Sequence, residues 1–292
     1  MQVVYHLGAH ATDEGRLLKC LLKNADTLKA EGISLPGPSN YRPLLRDAVS
    51  SLNGKPATAE AQQTLLDAVL DEDRPPGRVI FSNPAFICAP AKVLDEGVLY
   101  ARAGQTTHAM AQLFPQAECE FHIAIRNPAT FIPAVFATCR NTSFEAFTGG
   151  IDPRRLRWSD VVARIQKANP DAMLTVWCNE DTPLIWPEVL SELSGHDPKT
   201  ELDGIYDFHA SIMSEAGMKR MRDYLQSHPP VNEIQRRRVV AAFLDKFAIP
   251  DEIEMELDLP GWTEALVEEV TELYEEDMFE IERMPGINFV TP

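Results

Sequence analysis

No stretch of this 292-residue chain approaches the roughly 18–20 consecutive apolar residues of a membrane-spanning helix, so a membrane is not an expected partner. The start lacks a basic region, an apolar core and a cleavage site, the pattern of an export signal. The five cysteines, Cys20, Cys88, Cys119, Cys139 and Cys178, show no metal-like spacing. An odd count without an export signal points to reduced thiols and a cytoplasmic location, with no metal cofactor. Basic residues are scarce: 27 Lys and Arg stand against 44 Asp and Glu, a net charge of −17. Fourteen of the acids lie in residues 251–282, which hold no Lys or Arg, and without them the balance is only −3. Nucleic acid is therefore excluded as a partner, since its binding rests on basic surface. The acidic stretch reads as a solvated helix face. Neither the phosphate-loop pattern G-x-x-x-x-G-K-[ST] nor a Gly-x-Ser-x-Gly elbow occurs. No repeat or low-complexity segment divides the chain.

What is present begins at the first residues. Residues 3–7 (Val-Val-Tyr-His-Leu) form a short apolar run closed by Gly8, the mark of a buried strand. From Arg16 the period becomes helical, with Leu17, Leu18, Leu21, Leu22, Ala25 and Leu28 on one face. Strand, short loop and helix in that order place the loop beside a helix N-terminus. Unpaired N–H groups and the helix dipole there favour an anion.

Further along, residues 78–82, 118–125 and 172–178 read as strands. Residues 41–52, 58–70, 105–113 and 158–168 read as helices, and a long helix is expected from Pro128 to the glycines at 149 and 150. Residues 32–40 read as a turn and extended loop, and residues 84–104 as an irregular segment able to cover a site. From Ser211 the spacing is helical to the end, over 213–225, 231–247 and 263–281, with residues 284–289 as a tail. Arg236, Arg237 and Arg238 fall mid-helix and read as a solvated face. Strands alternating with helices argue for a parallel sheet. The expected architecture is one domain, 1–292, with an α/β core over 1–205 and a helical layer over 206–292.

Gly8-Ala9-His10-Ala11-Thr12 resembles the donor-binding loop of bacterial sulfotransferases, a Gly-Ala-His-Lys-Thr-Gly-Thr-like sequence between a strand and an amphipathic helix. Two other segments share the resemblance. Arg126-Asn127-Pro128, closing a strand, is similar to the family's 3'-phosphate site. Residues 172–187, a strand followed by Glu180 and Asp181, are similar to its strand-then-Glu-Asp segment. The resemblance implies a P-loop-like parallel fold. It also implies binding of 3'-phosphoadenosine-5'-phosphosulfate (PAPS) by Gly8, Ala9, Thr12, Gly15 and Arg126, and sulfuryl transfer to the hydroxyl or amine of a small molecule or glycan. In that case residues 8–16 face Arg126 across a cleft beyond the strand ends.

The chain departs from this pattern at informative positions. Ala11 stands where the family has its Lys, Asp13 where it has Gly, Glu14 where it has Thr, and Ala134 where it has the 3'-phosphate Ser. A carboxylate about 5 Å from a bound anion, at an effective dielectric near 20, opposes it by about 3 kcal/mol. Helix-end attraction returns only about 0.3–1 kcal/mol per charge. Asp13 and Glu14 therefore either weaken the site or turn away and satisfy the helix N-terminus. Arg16 either turns inward in place of the missing Lys, as a donor-binding cation, or stays exposed. His10 is the candidate catalytic base, with an ordinary pKa near 6.5; the other reading has its ring bonding the loop. His6 and His122 read as packed strand residues. The alternative function is a non-catalytic binding or assembly module on the same fold.

Overall fold

The computed structural model describes residues 1–70, 76–253, 255 and 259–292. Six parallel strands form one sheet: β1 (Gln2–Gly8), β2 (Ile33–Ser34), β3 (Arg78–Ser82), β4 (Glu118–Ile125), β5 (Met173–Cys178) and β6 (Ile287–Val290). Their order across the sheet is β2-β3-β1-β4-β5-β6, so β1 is central. The helices of the first half are α1 (Arg16–Lys23), α2 (Ala25–Ala30), α3 (Pro38–Leu52), α4 (Ala59–Val69), α5 (Ala103–Ala111) and α6 (Pro128–Thr138). Those of the second half are α7 (Phe144–Thr148), α8 (Trp158–Ala168), α9 (Thr182–Ser194), α10 (Asp207–Ile212), α11 (Glu215–Ser227), α12 (Glu233–Phe247), α13 (Pro250–Ile253) and α14 (Glu264–Glu282).

Alternation along β1 divides the core. Val4, with Ile80, Ala124 and Trp177 from neighbouring strands, packs under α1 and α9 on one face. Val3, Tyr5 and Leu7 pack with Phe81 and Phe121 under α3, α5, α6 and α8 on the other. Tyr274 and Ile281 of α14 belong to that second cluster. The sheet is covered on both faces, as an all-parallel sheet requires.

The expected α/β architecture with a helical layer is present, with differences at its edges. The chain is not helical from Ser211 to its end: β6 pairs in parallel with β5 through Ile287, Asn288, Phe289 and Val290. Residues 206–292 therefore contribute to the sheet as well as to the layer. Residues 33–34 extend the opposite edge as β2. The helix expected from Pro128 to 148 is two helices, because Asn141 takes a positive φ and the Ser143 hydroxyl caps a new start at Ala146 N. Arg236 is not solvated. It is 5% exposed, and its Nη2 bonds both oxygens of Glu188, at 3.0 and 2.9 Å, so it fastens α12 to α9. Arg237 joins the same carboxylate. In the acidic stretch Asp277 is buried and receives the backbone N–H of Trp158 at 2.6 Å, which ties α14 to the start of α8. No helix among the described residues is long and apolar enough to cross a membrane.

Candidate functional site

β1 hands the chain to α1 on one face of the sheet, while its neighbour β4 hands it to α6 on the other. Connections that part in this way leave a crevice beyond the strands' carboxyl ends, where open α/β sheets bind ligands. Residues 8–15 and Arg126 lie at that position, in direct contact with each other.

Gly8 has φ +95°, and a Cβ there would lie 2.9 Å from the Pro84 Cα. A side chain meets both a disfavoured backbone angle and a backbone wall. Gly8→Ala is expected to destabilise the protein by about 2–3 kcal/mol, read as a lower urea midpoint at unchanged slope. A variant within about 0.5 kcal/mol of the parent would show that the loop yields at Pro84.

Ala9 N–H donates to the Ala124 carbonyl at 3.1 Å and anchors the loop to β4. His10 is 6% exposed. Its ring bonds Tyr100 rather than the loop backbone: Nδ1 lies 2.6 Å from Tyr100 Oη, and its backbone N–H donates to the same oxygen at 3.1 Å. Nε2 is buried with no partner among the described residues. Burial lowers the His10 pKa to about 4, against a smaller opposing effect of the Cys88 carbonyl. The ring is therefore neutral at pH 7. If Nδ1 donates to Tyr100, Nε2 holds a lone pair and is a base; if Tyr100 donates to Nδ1, Nε2 carries the proton.

The two acids separate. Asp13 turns into the helix end, where Oδ2 accepts the Leu17 N–H at 3.1 Å. Glu14 points outward and pairs with Arg16 at 3.0 Å. Arg16 also lies 5.7 Å over the Phe208 ring, so its charge is engaged at the side of α1 rather than inside the loop. The Thr12 hydroxyl donates inward to the Ala9 carbonyl at 2.8 Å and braces the loop. Thr12 was expected on the donor, and Arg16 either there or exposed; in this structure each is bonded to the protein itself. Gly15, at φ +75°, immediately precedes α1.

The backbone is the more telling feature. Among the described residues nothing accepts a hydrogen bond from the N–H groups of residues 11–15. Positive φ recurs at Ala11 (52°), Glu14 (51°) and Gly15 (75°). Left-handed residues in such a turn let successive N–H groups converge on an anion.

Arg126 reaches this loop directly. Its Nη1 donates to the Ala11 carbonyl at 2.5 Å and its Nε to Thr130 Oγ1 at 3.1 Å. Behind it, Glu180 accepts the Asn127 N–H at 2.8 Å and the Tyr274 hydroxyl at 3.0 Å. Burial raises the Glu180 carboxyl pKa, and those hydrogen bonds with the Arg126 charge oppose the rise. Glu180 thus braces the start of α6 where β4 ends. The basic loop before α8 is largely self-engaged: Arg154 pairs with Glu269 at 2.7 Å, and Arg157 donates to the carbonyls of Arg154 and Leu156.

Sequence reasoning missed Tyr100 and Tyr274. Tyr100 is the only tyrosine in the irregular covering segment, a weak signal that a hydroxyl there meets the loop. Tyr274 sits in the acidic helix, and nothing in its spacing distinguishes it from a core aromatic. No family model matches the chain, and no curated protein matches it in sequence.

Proposed function

We propose that the protein binds the phosphosulfate end of a PAPS-type donor through the backbone of residues 8–15 and acts as a sulfotransferase-like protein toward a hydroxyl or amine acceptor. One observation carries the reading: five consecutive loop N–H groups without a partner among the described residues, at the crevice between β1 and β4. Backbone donors at a helix start suit a phosphate or sulfate, and they need no lysine to do so. In this reading Arg126 exchanges the Ala11 carbonyl for the donor's 3'-phosphate, a charge-assisted and stronger hydrogen bond. The acceptor atom bonds sulfur as the bond from sulfur to the nucleotide's phosphate oxygen breaks. The leaving group is 3'-phosphoadenosine-5'-phosphate; the acceptor's proton passes to His10 Nε2 in the tautomer whose Nδ1 donates to Tyr100, which requires the loop to move and expose that buried nitrogen.

A second reading is favoured by two observations. Ala11 brings no cation to the leaving oxygen, and His10 at a pKa of about 4 is a weak base. It makes the protein a module that binds the nucleotide without transfer, for assembly or sensing.

Thermal unfolding with 3'-phosphoadenosine-5'-phosphate tests the shared part. Ligand at about 100 times its dissociation constant is expected to add about 2.7 kcal/mol, and Arg126→Ala is expected to abolish the shift at the same concentration. No shift at millimolar ligand would end both readings. A shift retained by Arg126→Ala would remove Arg126 from the 3'-phosphate. Binding without release of 3'-phosphoadenosine-5'-phosphate from PAPS across an acceptor panel would select the module.

A further inference from the structure

A cavity of about 750 Å³ lies at the end of β3, between α3, the covering segment over residues 83–102, and α5. It falls within the usual size of small-ligand pockets. Its floor is apolar, made by Leu45, Val49, Phe86, Ile87 and Met110. Its rim carries Arg42, Arg46, Lys92 and Arg102 against one acid, Asp95. Asp95 is taken by Lys92 at 3.0 Å, and Arg46 pairs with Asp47 at 2.9 Å. Arg42 is half-buried and has no carboxylate partner among the described residues. Its Nε and Nη2 donate to the Ser82 carbonyl at 3.1 and 2.9 Å, which fixes the plane of the guanidinium. Among the described residues Arg102 makes only a 3.3 Å bond to the Gln105 side chain.

Two positive charges without acids beside an apolar floor run against the character of the whole chain, whose net charge is −17. An anionic group is attracted to this mouth and repelled by the acidic stretch over 251–282, which carries fourteen of the acids. We infer that the cavity binds a small organic anion with an apolar body, a carboxylate, sulfonate or phosphate monoester on an alkyl or aryl group. The charged head meets Arg42 and Arg102, and the body lies on Phe86, Val49 and Met110. Tyr100 also lines the cavity, and its hydroxyl is the group that holds the His10 ring. His10 itself does not line the cavity, so a ligand here is separated from the candidate base by the Tyr100 side chain. Such a ligand is an acceptor only where its body also carries a hydroxyl or amine, and that role rests on the proposed function, whereas its binding does not.

Calorimetry on the full chain without nucleotide tests the binding, using octanoate, 2-naphthoate and octylammonium. The two anions are expected to bind at least about tenfold tighter than the cation, and Arg42→Gln is expected to weaken them about tenfold. Val49→Trp keeps both arginines and fills the floor, and it is expected to abolish binding even if Arg42→Gln fails to fold. The inference is overturned if octanoate and octylammonium bind equally, if Val49→Trp binds like the parent, or if neither anion binds at about 10 mM. The same samples separate the two proposals. Arg126→Ala is expected to leave octanoate affinity unchanged while removing the shift given by 3'-phosphoadenosine-5'-phosphate. Octanoate binding in a protein that ignores that nucleotide would end the donor reading and leave this one standing.

Discussion

Glu120→Ala is expected to destabilise the protein by about 3–5 kcal/mol, the largest loss anticipated for any single substitution away from the crevice. Glu120, on β4, is 8% exposed, and so is its partner Arg78 on β3. Two parallel hydrogen bonds join them, Nη1 to Oε1 at 2.8 Å and Nη2 to Oε2 at 2.6 Å. Burial pushes the Glu120 pKa up, but hydrogen bonds from His122 and Arg78, with the Arg78 charge, overcome this and hold the carboxyl at about 2. Arg78 also donates to the carbonyls of Glu192 and Leu193, the orphan groups at the end of α9. Removing the carboxylate would strand a buried guanidinium between the sheet and that helix. Removing both charges is a different experiment. A buried pair replaced by well-packed apolar residues is often neutral, because the desolvation of both ions disappears with them. Glu120→Leu combined with Arg78→Met is therefore expected to recover most of the loss, short of the two α9 carbonyls. Urea unfolding of the single and double variants checks this. A single-variant loss below about 1 kcal/mol, or a double variant no better than the single, would show that water reaches the pair.

That pair belongs to a polar seam that one sequence does not disclose. On the same sheet face, Ser82, His6, His122, Thr175 and Asn288 stand in register across five strands. His6 and His122 alone read as packed strand residues, and both are indeed 1% exposed. Which strand lies beside which is set by crossovers of tens of residues, so the row appears only with the fold. The strands themselves were legible where apolar runs were bounded by breakers, and residues 78–82 and 118–125 match β3 and β4 in full. β6 was not, because Ile287–Val290 is four half-buried residues including an Asn, too short for a period to show. In the crevice the same division holds. The loop was legible from Gly8, Ala9 and His10, and its nearness to Arg126 was expected only from the resemblance. The sequence left open where each side chain turns. Asp13 and Thr12 spend their hydrogen bonds on the loop, and Tyr100, ninety residues away, decides what His10 does.

Acid is expected to act on this protein well above the carboxylate range. Burial lowers the pKa of His10 and of His209 to about 4, and it also lowers those of His6 and His122. For His10 and His209 the unfolded chain takes up the proton near pH 6.5, while the folded protein refuses it until about pH 4. Stability is therefore complete above pH 6.5 and falls as the pH drops towards 4. Each group contributes about 1.4 kcal/mol per pH unit across that window, so His10 and His209 together remove about 4 kcal/mol between pH 7 and pH 5. His6 and His122 add to the loss. Glu180, Asp181 and Asp277 work the other way, since burial raises their carboxyl pKa values and the folded state binds those protons first. Glu120, held at about 2, contributes its own loss only below its ordinary carboxylate range. Urea unfolding at pH 7, 6 and 5 reads the balance, and the histidines prevail if the free energy falls by about 4 kcal/mol or more. His209 donates to the Pro183 carbonyl in its neutral form, a bond that glutamine can also make. His209→Gln is thus expected to flatten the slope by about 1.4 kcal/mol per pH unit below pH 6. Stability that stays level or rises between pH 7 and pH 5 would mean that the buried rings are already protonated or that the three raised carboxyls dominate.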